Sequence, residues 1–169
     1  MGTIEGRVGG VIGGYSITAD VTRGNAAGRI GGPVFGCDIN LTYSMESGDL
    51  NGRIGGMIIG RDVRGQISPT RLQARIGGLF DGNDMELSVR ENRVLGRCGG
   101  GVIGFDIDLS FSSDGRIDGR LGGDFVGHSI DAVVHDVEPV MAAALFTITY
   151  YMYQVNHRNN SGGSSGGEN

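Results

Sequence analysis

The five residues Gly28-Arg29-Ile30-Gly31-Gly32 are one copy of a motif that recurs along this chain. Six copies begin at residues 6, 28, 52, 74, 96 and 119, at intervals of 22 to 24 residues. Five of them begin with glycine, and the fourth begins with Ala74. A fixed period of this length is the signature of a repeat protein, in which each copy contributes one small structural unit.

Residues around each motif alternate in character with a period of two. Aliphatic residues and glycines occupy every second position from Leu50 to Gly60, and a cleaner apolar–polar alternation runs from Phe105 to Ser112. This period is typical of β-strands with one buried face. Each repeat therefore predicts two antiparallel strands, which makes six hairpins and twelve strands. Within the motif, parity predicts that Gly28, Ile30 and Gly32 face inward and that Arg29 and Gly31 face outward.

A glycine near the start of each second strand predicts the hairpin turn. Glycine suits the first central position of a two-residue type II′ loop, and the residues concerned are Gly14, Gly36, Gly60, Gly82, Gly104 and Gly127. The register that follows pairs Val34 with Ile39, Ile58 with Val63, Val102 with Ile107 and Phe125 with Ile130. One step further in, it places Gly32 opposite Leu41, Gly78 opposite Leu87 and Gly100 opposite Leu109. The polar segments between hairpins are too short for crossover helices, which excludes a parallel sheet.

The chain changes character after Asp136. Glu138-Pro139 resembles a helix N-terminus, and residues 140–155 are apolar on every side of a helix, which predicts a buried helix. Twelve strands tilted by about 40° close at a radius of about 12 Å and leave a lumen about one helix wide. We therefore predict a mainly β fold, a closed 12-stranded antiparallel meander barrel around a hydrophobic C-terminal helix. Residues 1–157 form one domain, with the repeats in 1–136 and the helix in 138–157, and residues 158–169 form a disordered Gly/Ser-rich tail.

The segment from Asp136 to Leu145, Asp-Val-Glu-Pro-Val-Met-Ala-Ala-Ala-Leu, is similar to the helix that ends LURP-one-related and phospholipid scramblase-like domains. These domains belong to the tubby-like superfamily, and the resemblance implies a twelve-stranded barrel around a C-terminal helix. It also implies a non-catalytic binding or scaffold domain that associates with phosphoinositides or other phospholipids. The acylated Cys-rich segment and the calcium-binding segment of scramblases have no counterpart here, so no lipid-binding residue is transferred.

Composition and motifs narrow the function classes. The net charge of −5 argues against a general nucleic-acid binder. The chain has no Gly-Lys-Ser/Thr phosphate loop, nucleophile–base pair or paired catalytic carboxylates, so we predict neither an enzyme nor a bound cofactor. Two cysteines, and a start that does not read as a secretory signal, predict a cytoplasmic protein, peripheral at a membrane if its ligand is a lipid.

One row of arginines is the candidate binding site. The second residue of each motif is an outward arginine, and together they form a belt: Arg7, Arg29, Arg53, Arg75, Arg97 and Arg120. Guanidinium groups bind phosphate, so the belt predicts contact with an anionic lipid headgroup or an acidic protein partner. The competing interpretation is structural, with each arginine covering glycine backbone and pairing with a nearby aspartate.

Other surface rows carry weaker hypotheses. The outward glycines either allow sheet twist or let subunits stack: Gly9, Gly31, Gly55, Gly77, Gly99 and Gly122. A calcium rim is conceivable at Asp38, Asp62, Asp84 and Asp106, although solvated turn residues explain them better. No metal-ligand spacing links His128, His135 and His157 or the cysteines Cys37 and Cys98, and we expect Cys98 to be a small core residue.

Two alternatives to a lipid-binding domain remain open. One is a self-assembling repeat protein that forms an oligomer or a β-solenoid filament through its edges or glycine rows. The other is a membrane protein, either tail-anchored through residues 140–155 or built as a small outer-membrane barrel. The apolar run is short of the about 20 residues that a spanning helix needs, which argues against the anchor.

Overall fold

The computed structural model describes residues 1–9, 13–32, 35–56, 58, 60–78, 80–100, 104–122 and 127–161, with backbone only for 159–161. Twelve strands precede one helix. The strands are β1 (Gly2–Gly9), β2 (Gly14–Thr22), β3 (Asn25–Gly31), β4 (Gly36–Tyr43), β5 (Asp49–Gly55), β6 (Gly60–Ser68), β7 (Arg71–Ile76), β8 (Asn83–Arg90), β9 (Arg93–Gly99), β10 (Gly104–Phe111), β11 (Arg116–Gly122) and β12 (Gly127–His135). The helix, α1, is Pro139–Ser161.

Each strand pairs antiparallel with its neighbours in the chain, and β1 also pairs with β12, which closes the sheet into a barrel. The predicted fold class, a closed 12-stranded antiparallel meander barrel with a C-terminal helix, is confirmed. Two kinds of connection alternate around it. The C-terminal ends of β1, β3, β5, β7, β9 and β11 lie at one end of the barrel, which we call the glycine-loop end. The five turns that follow β2, β4, β6, β8 and β10 lie at the other, which we call the polar-turn end.

The strand register within the hairpins was predicted wrongly. Gly31 pairs with Gly36, whereas the prediction joined Val34 to Ile39, so the centre of this loop lies three residues earlier in the chain. Leu41 consequently faces Ala26 instead of Gly32. The same displacement pairs Leu72 with Leu87, Val94 with Leu109, and Gly52 with Val63. Val34, Val102 and Phe125 lie outside the described residues, and their expected partners Ile39, Ile107 and Ile130 face Gly28, Gly96 and Gly119.

The physical reason is the second glycine of the motif. Gly9, for example, has φ 103°, and a Cβ there would lie 2.5 Å from the Gly13 carbonyl oxygen. Positive φ values end the strand at Gly9, Gly31, Gly55, Gly99 and Gly122, and each of these residues pairs with the first glycine of the next strand. Side-chain parity is the same in the predicted and observed registers, so the alternation alone could not distinguish them. These outward glycines therefore terminate strands, which favours their structural interpretation over subunit stacking.

The inner face of the sheet is built in layers. The third residue of every motif is buried: Val8, Ile30, Ile54, Ile76, Cys98 and Leu121. Cys98 is thus a small core residue, as predicted. The first residue of the motif also faces inward and leaves space for bulkier neighbours. At Gly6, an added Cβ would come within 2.9 Å of the Phe146 ring of α1.

Helix α1 passes through the barrel. It contacts β1, β2 and β3 on one side and β7, β8, β9 and β10 on the other, and residues 140–151 are buried. The polar side chains in this stretch, Thr147 and Thr149, donate to carbonyl oxygens one turn earlier in the helix, at 2.7 Å. An apolar helix thus fills the apolar lumen, and the two threonine hydroxyls that it buries are satisfied within the helix. The stretch proposed as a tail anchor is covered by the strands in this fold.

The helix enters from the polar-turn end. Asp136, with φ 51°, reverses the chain after β12, and Pro139 begins the helix. The helix continues to Ser161, so the boundary predicted at residue 157 was too early, and residues 158–161 are helical rather than part of a tail. The weaker helix propensities of Asn159, Asn160 and Ser161 did not indicate this continuation. Residues 162–169, the rest of the predicted tail, lie outside the described residues.

Candidate functional site

The arginine row is engaged with aspartates on the outer wall. In four repeats the arginine pairs directly with the aspartate nine residues later, at 2.5–2.9 Å: Arg29–Asp38, Arg53–Asp62, Arg75–Asp84 and Arg97–Asp106. These partners stand opposite each other in the strand register. In the first and last repeats the facing residue is serine. Arg7 donates to the Ser16 hydroxyl at 3.2 Å, and Arg120 faces Ser129.

The same arginines brace the glycine loops. Arg53 Nε donates to the Gly56 carbonyl oxygen at 3.1 Å, and Arg97 donates to the Gly100 carbonyl oxygen at 2.8 Å. Arg75 makes the equivalent bond to Gly78. Each of these arginine side chains therefore connects the neighbouring strand to the adjacent glycine loop. The four aspartates of the hypothetical calcium rim, Asp38, Asp62, Asp84 and Asp106, are the ion-pair partners of the arginine belt. Within the described part of the chain, no group of three or more His, Cys, Asp or Glu side chains is placed to hold a metal ion.

A second ring of side chains lies where the lumen opens at the glycine-loop end. Each even-numbered strand has one inward residue near its start, which is the first residue in β8 and the second in the other five strands. It faces the buried third residue of the motif on the preceding strand. We call these six positions the mouth ring. They are Tyr15, Cys37, Arg61, Asn83, Phe105 and His128. The next inward layer is uniformly apolar: Ile17, Ile39, Val63, Met85, Ile107 and Ile130. Of these two inward layers, only the mouth ring varies in polarity between repeats.

Most of the mouth ring packs against tyrosines of α1. Phe105 meets Tyr150 edge-on with ring centroids 4.6 Å apart, and Tyr15 meets Tyr153 in the same way at 5.5 Å. His128 lies 5.1 Å from the Tyr153 ring. Burial, followed by the nearby His157 and Arg120, lowers the pKa of His128. Such edge-on aromatic contacts fix the C-terminal half of the helix in the mouth.

The ring leaves one sector of the mouth unfilled. Next to the small Cys37 and to Arg61 is a cleft of about 690 Å³, also lined by Phe35, Ile58 and Met152. Burial raises the pKa of the Cys37 thiol, with smaller opposing effects of Arg29 and Asp38. A thiol with a raised pKa is less ionised at neutral pH and is therefore a poorer nucleophile.

Large apolar side chains project from the glycine-loop end. Phe35 is 54% exposed, Ile58 is 96% exposed, and Phe80 is fully exposed. By sequence, all six connecting segments carry adjacent apolar residues, at 11–12, 34–35, 57–59, 79–80, 102–103 and 125–126. Of these, only Phe35, Ile58 and Phe80 are among the described residues. We call these three residues the apolar tips.

The polar-turn end has a different chemistry. Its turns are Arg23-Gly24, residues 44–48, Pro69-Thr70, Glu91-Asn92 and residues 112–115, which are mostly polar or charged. A second cleft of about 660 Å³ at this end is lined by Met1, Tyr43, Met45 and Glu138 among others. The Tyr43 hydroxyl donates to the Thr22 carbonyl oxygen at 2.8 Å, which closes one wall of that cleft. The two ends of the barrel are therefore chemically distinct.

Sequence reasoning placed the arginine row on the correct face but missed the mouth ring and the apolar tips. The tips follow from reading the connecting segments together, since each contains neighbouring large apolar residues. In the described part of the chain, the helix lacks the length of apolar sequence that crossing a bilayer requires. Comparison of the chain with protein-family models, with curated proteins and with solved structures gives no match.

Proposed function

We propose that this protein is a non-catalytic binding domain that docks on phospholipid membranes through its glycine-loop end. The observation that carries this proposal is the exposure of Phe35, Ile58 and Phe80 at one end of a barrel whose opposite end has mostly polar turns, with Met1 as its exposed large apolar residue among those described. Three exposed large apolar side chains on neighbouring loops at one end of the barrel form a candidate interaction surface. Insertion of such groups into the acyl boundary removes them from water and leaves the charged wall of the barrel outside the bilayer.

The arginine belt has a secondary place in this proposal. An anionic headgroup at Arg29, Arg53, Arg75 or Arg97 would have to compete with an aspartate that already accepts a hydrogen bond. The chain also has a net charge of −5, which repels an anionic surface at long range. We therefore expect binding to zwitterionic phosphatidylcholine vesicles with weak dependence on salt.

Membership of the tubby-like superfamily remains a proposal. It is supported by the meander that closes around a C-terminal helix, together with the resemblance of residues 136–145 to the helix of that superfamily. Peripheral attachment to the cytoplasmic face of a membrane would agree with this assignment and with the location expected from the sequence.

Vesicle co-sedimentation tests the docking proposal. The triple variant Phe35→Ser/Ile58→Ser/Phe80→Ser should partition onto phosphatidylcholine vesicles more than tenfold less than the wild type, because each apolar side chain contributes about 1.5–3 kcal/mol when buried. The matched control is Val133→Ser, which removes an apolar side chain 41% exposed on the outer wall. Equal partitioning of the triple variant and the wild type would refute the proposal.

The same apolar tips favour one second candidate, a head-to-head assembly of two barrels. Light scattering after size exclusion distinguishes it from membrane docking. A dimer that the triple variant converts to a monomer, together with no vesicle binding by the wild type, would replace the membrane by a second copy of this chain.

A further inference from the structure

Arg61 is the cation in the mouth ring. It occupies an inward position, opposite the buried Ile54, whereas the arginines of the belt face outward. Its side chain is only 26% exposed, and its guanidinium carbon lies 5.6 Å from the centre of the Tyr151 ring of α1. A guanidinium placed between an aromatic ring and a cleft is partly desolvated, which strengthens its attraction for an anion.

The ion pair of Arg61 is loose. Its Nη1 atom lies 3.8 Å from Asp81 Oδ2, the longest separation among the described ion pairs. Asp81 is 74% exposed, and its Oδ1 atom already accepts the Gly78 N–H at 3.0 Å. The Asp81 carboxylate thus mainly stabilises the loop between β7 and β8 through its hydrogen bond with Gly78. Beyond hydrogen-bond distance and in contact with water, it contributes little to neutralising Arg61.

The remaining charges on the cleft do not compete for an incoming anion. Arg53 and Asp62 pair with each other across the adjacent strands. The apolar part of the lining comes from Phe35 and Ile58 on the loops and from Met152 and Val155 on the helix. The cleft therefore has a cationic group on one wall and an apolar body beside it, and its volume of about 690 Å³ is in the range of small-molecule sites.

We propose that this cleft binds an amphipathic carboxylate of the fatty-acid type. The acidic head lies on the Arg61 guanidinium, which can donate two parallel hydrogen bonds to a carboxylate, and the apolar chain lies along Phe35, Ile58, Met152 and Val155. The site uses the same end of the barrel as the proposed membrane contact, but it needs no bilayer and does not involve Phe80.

Calorimetric titration of the full chain with decanoate, below its micelle concentration and without vesicles, tests this site. Decanoate should bind, whereas acetate, which lacks the chain, and decan-1-ol, which lacks the charge, should bind at least about tenfold more weakly. Arg61→Gln should weaken decanoate binding about tenfold and leave decan-1-ol binding unchanged. The matched control Arg116→Gln, 74% exposed on the outer wall at the polar-turn end, should have no effect.

Two further variants separate recognition from folding. Asp81→Asn keeps an acceptor for the Gly78 N–H but removes the competing charge, so decanoate should bind a few-fold more tightly. Arg61→Lys keeps the charge and should retain more affinity than Arg61→Gln. Equal affinity of the wild type and Arg61→Gln, or equal binding of decanoate and decan-1-ol, would overturn the proposal. Reduced vesicle docking with intact decanoate binding in Phe80→Ser, and the reverse in Arg61→Gln, would show that the two contacts are separable.

Discussion

The contact between Gly6 and Phe146 gives a direct test of the helix inside the barrel. An alanine Cβ at residue 6 would lie 2.5 Å from the Cβ of Ala132, 2.9 Å from Phe146 Cε1 and 3.0 Å from Phe146 Cζ. Carbon atoms in ordinary contact are about 3.5–4.0 Å apart, so each neighbour must move by about 0.5–1.5 Å. Both neighbours are buried and cannot swing into solvent. We expect Gly6→Ala to lower the free energy of unfolding by about 1–3 kcal/mol.

Urea unfolding followed by far-UV circular dichroism measures this change, and the midpoint should fall without a change in slope. In thermal unfolding the loss corresponds to a decrease of about 2–12 °C in Tm. Gly56→Ala is the matched control, because a Cβ there meets nothing within 4 Å. It should be neutral or stabilising by up to about 1 kcal/mol, since alanine restricts the unfolded chain.

A double-mutant cycle tests the cause of the effect. In a Phe146→Leu background the ring atoms that meet residue 6 are absent, so Gly6→Ala should be less destabilising by at least about 0.5 kcal/mol. The contact with Ala132 remains and should keep part of the effect. If Gly6→Ala were as harmless as Gly56→Ala, or if its effect were the same in both backgrounds, the helix would not pack against Gly6 as described.

Three further predictions concern charges and thiols. Asp106→Asn should lower the free energy of unfolding by only about 0.2–1 kcal/mol, and by less at high salt, because the ion pair between Asp106 and Arg97 is solvent-exposed. A larger loss of stability in denaturant unfolding would contradict this prediction. Burial raises the pKa of Cys98 to about 12, so a thiol-specific chromogenic reagent at about pH 8 should label Cys37 first and Cys98 only in denaturant. Equal labelling rates of the two cysteines in the folded protein would contradict the burial of Cys98. Burial lowers the pKa of His128 below 6.5, so this side chain binds a proton more readily in the unfolded protein, and the stability present above about pH 6.5 should be lost as the pH falls through the folded-state pKa. His128→Gln should flatten this part of the pH–stability profile, measured by denaturant unfolding, and an unchanged slope would count against the prediction.

The number of strands and their closure were predictable because they depend on parity and repetition. Alternation around each motif places Ile30 and its equivalents on the buried face whatever the exact pairing. The apolar run from residue 140 then has one place to be buried, since twelve strands enclose a lumen of about its width. These features rest on patterns repeated six times, so a local ambiguity did not alter them.

The register was not predictable from parity, because two registers that differ by an even number of residues bury the same side chains. A different signal was present in the chain. Arginine and aspartate recur nine residues apart in four repeats, as in Arg29 and Asp38. Opposite charges at a fixed separation favour a register in which they face each other on neighbouring strands. A register that places Arg29 opposite Asp38 is the one that the structure has.

The mouth ring and the cleft could not be predicted from the repeat pattern, because they are formed by residues that differ between the repeats. They consist of the inward positions at which the repeats differ, and six different residues at one position carry no period. Arg61 and Tyr151 are 90 residues apart, and only the passage of α1 through the barrel brings them together. A contact of this kind depends on the tertiary fold and has no local signature.

Closure of the sheet around α1 also limits how a chain of this kind can evolve. In open repeat arrays, unequal recombination adds or deletes copies without disturbing the contacts within the others. Here one hairpin more or fewer would change the circumference by about a sixth, and the diameter of a barrel grows roughly linearly with its strand number. A five-copy barrel would exclude the helix, and a seven-copy barrel would leave a gap around it. Six copies of the repeat are therefore the number that matches the diameter of a single α-helix in this closed sheet.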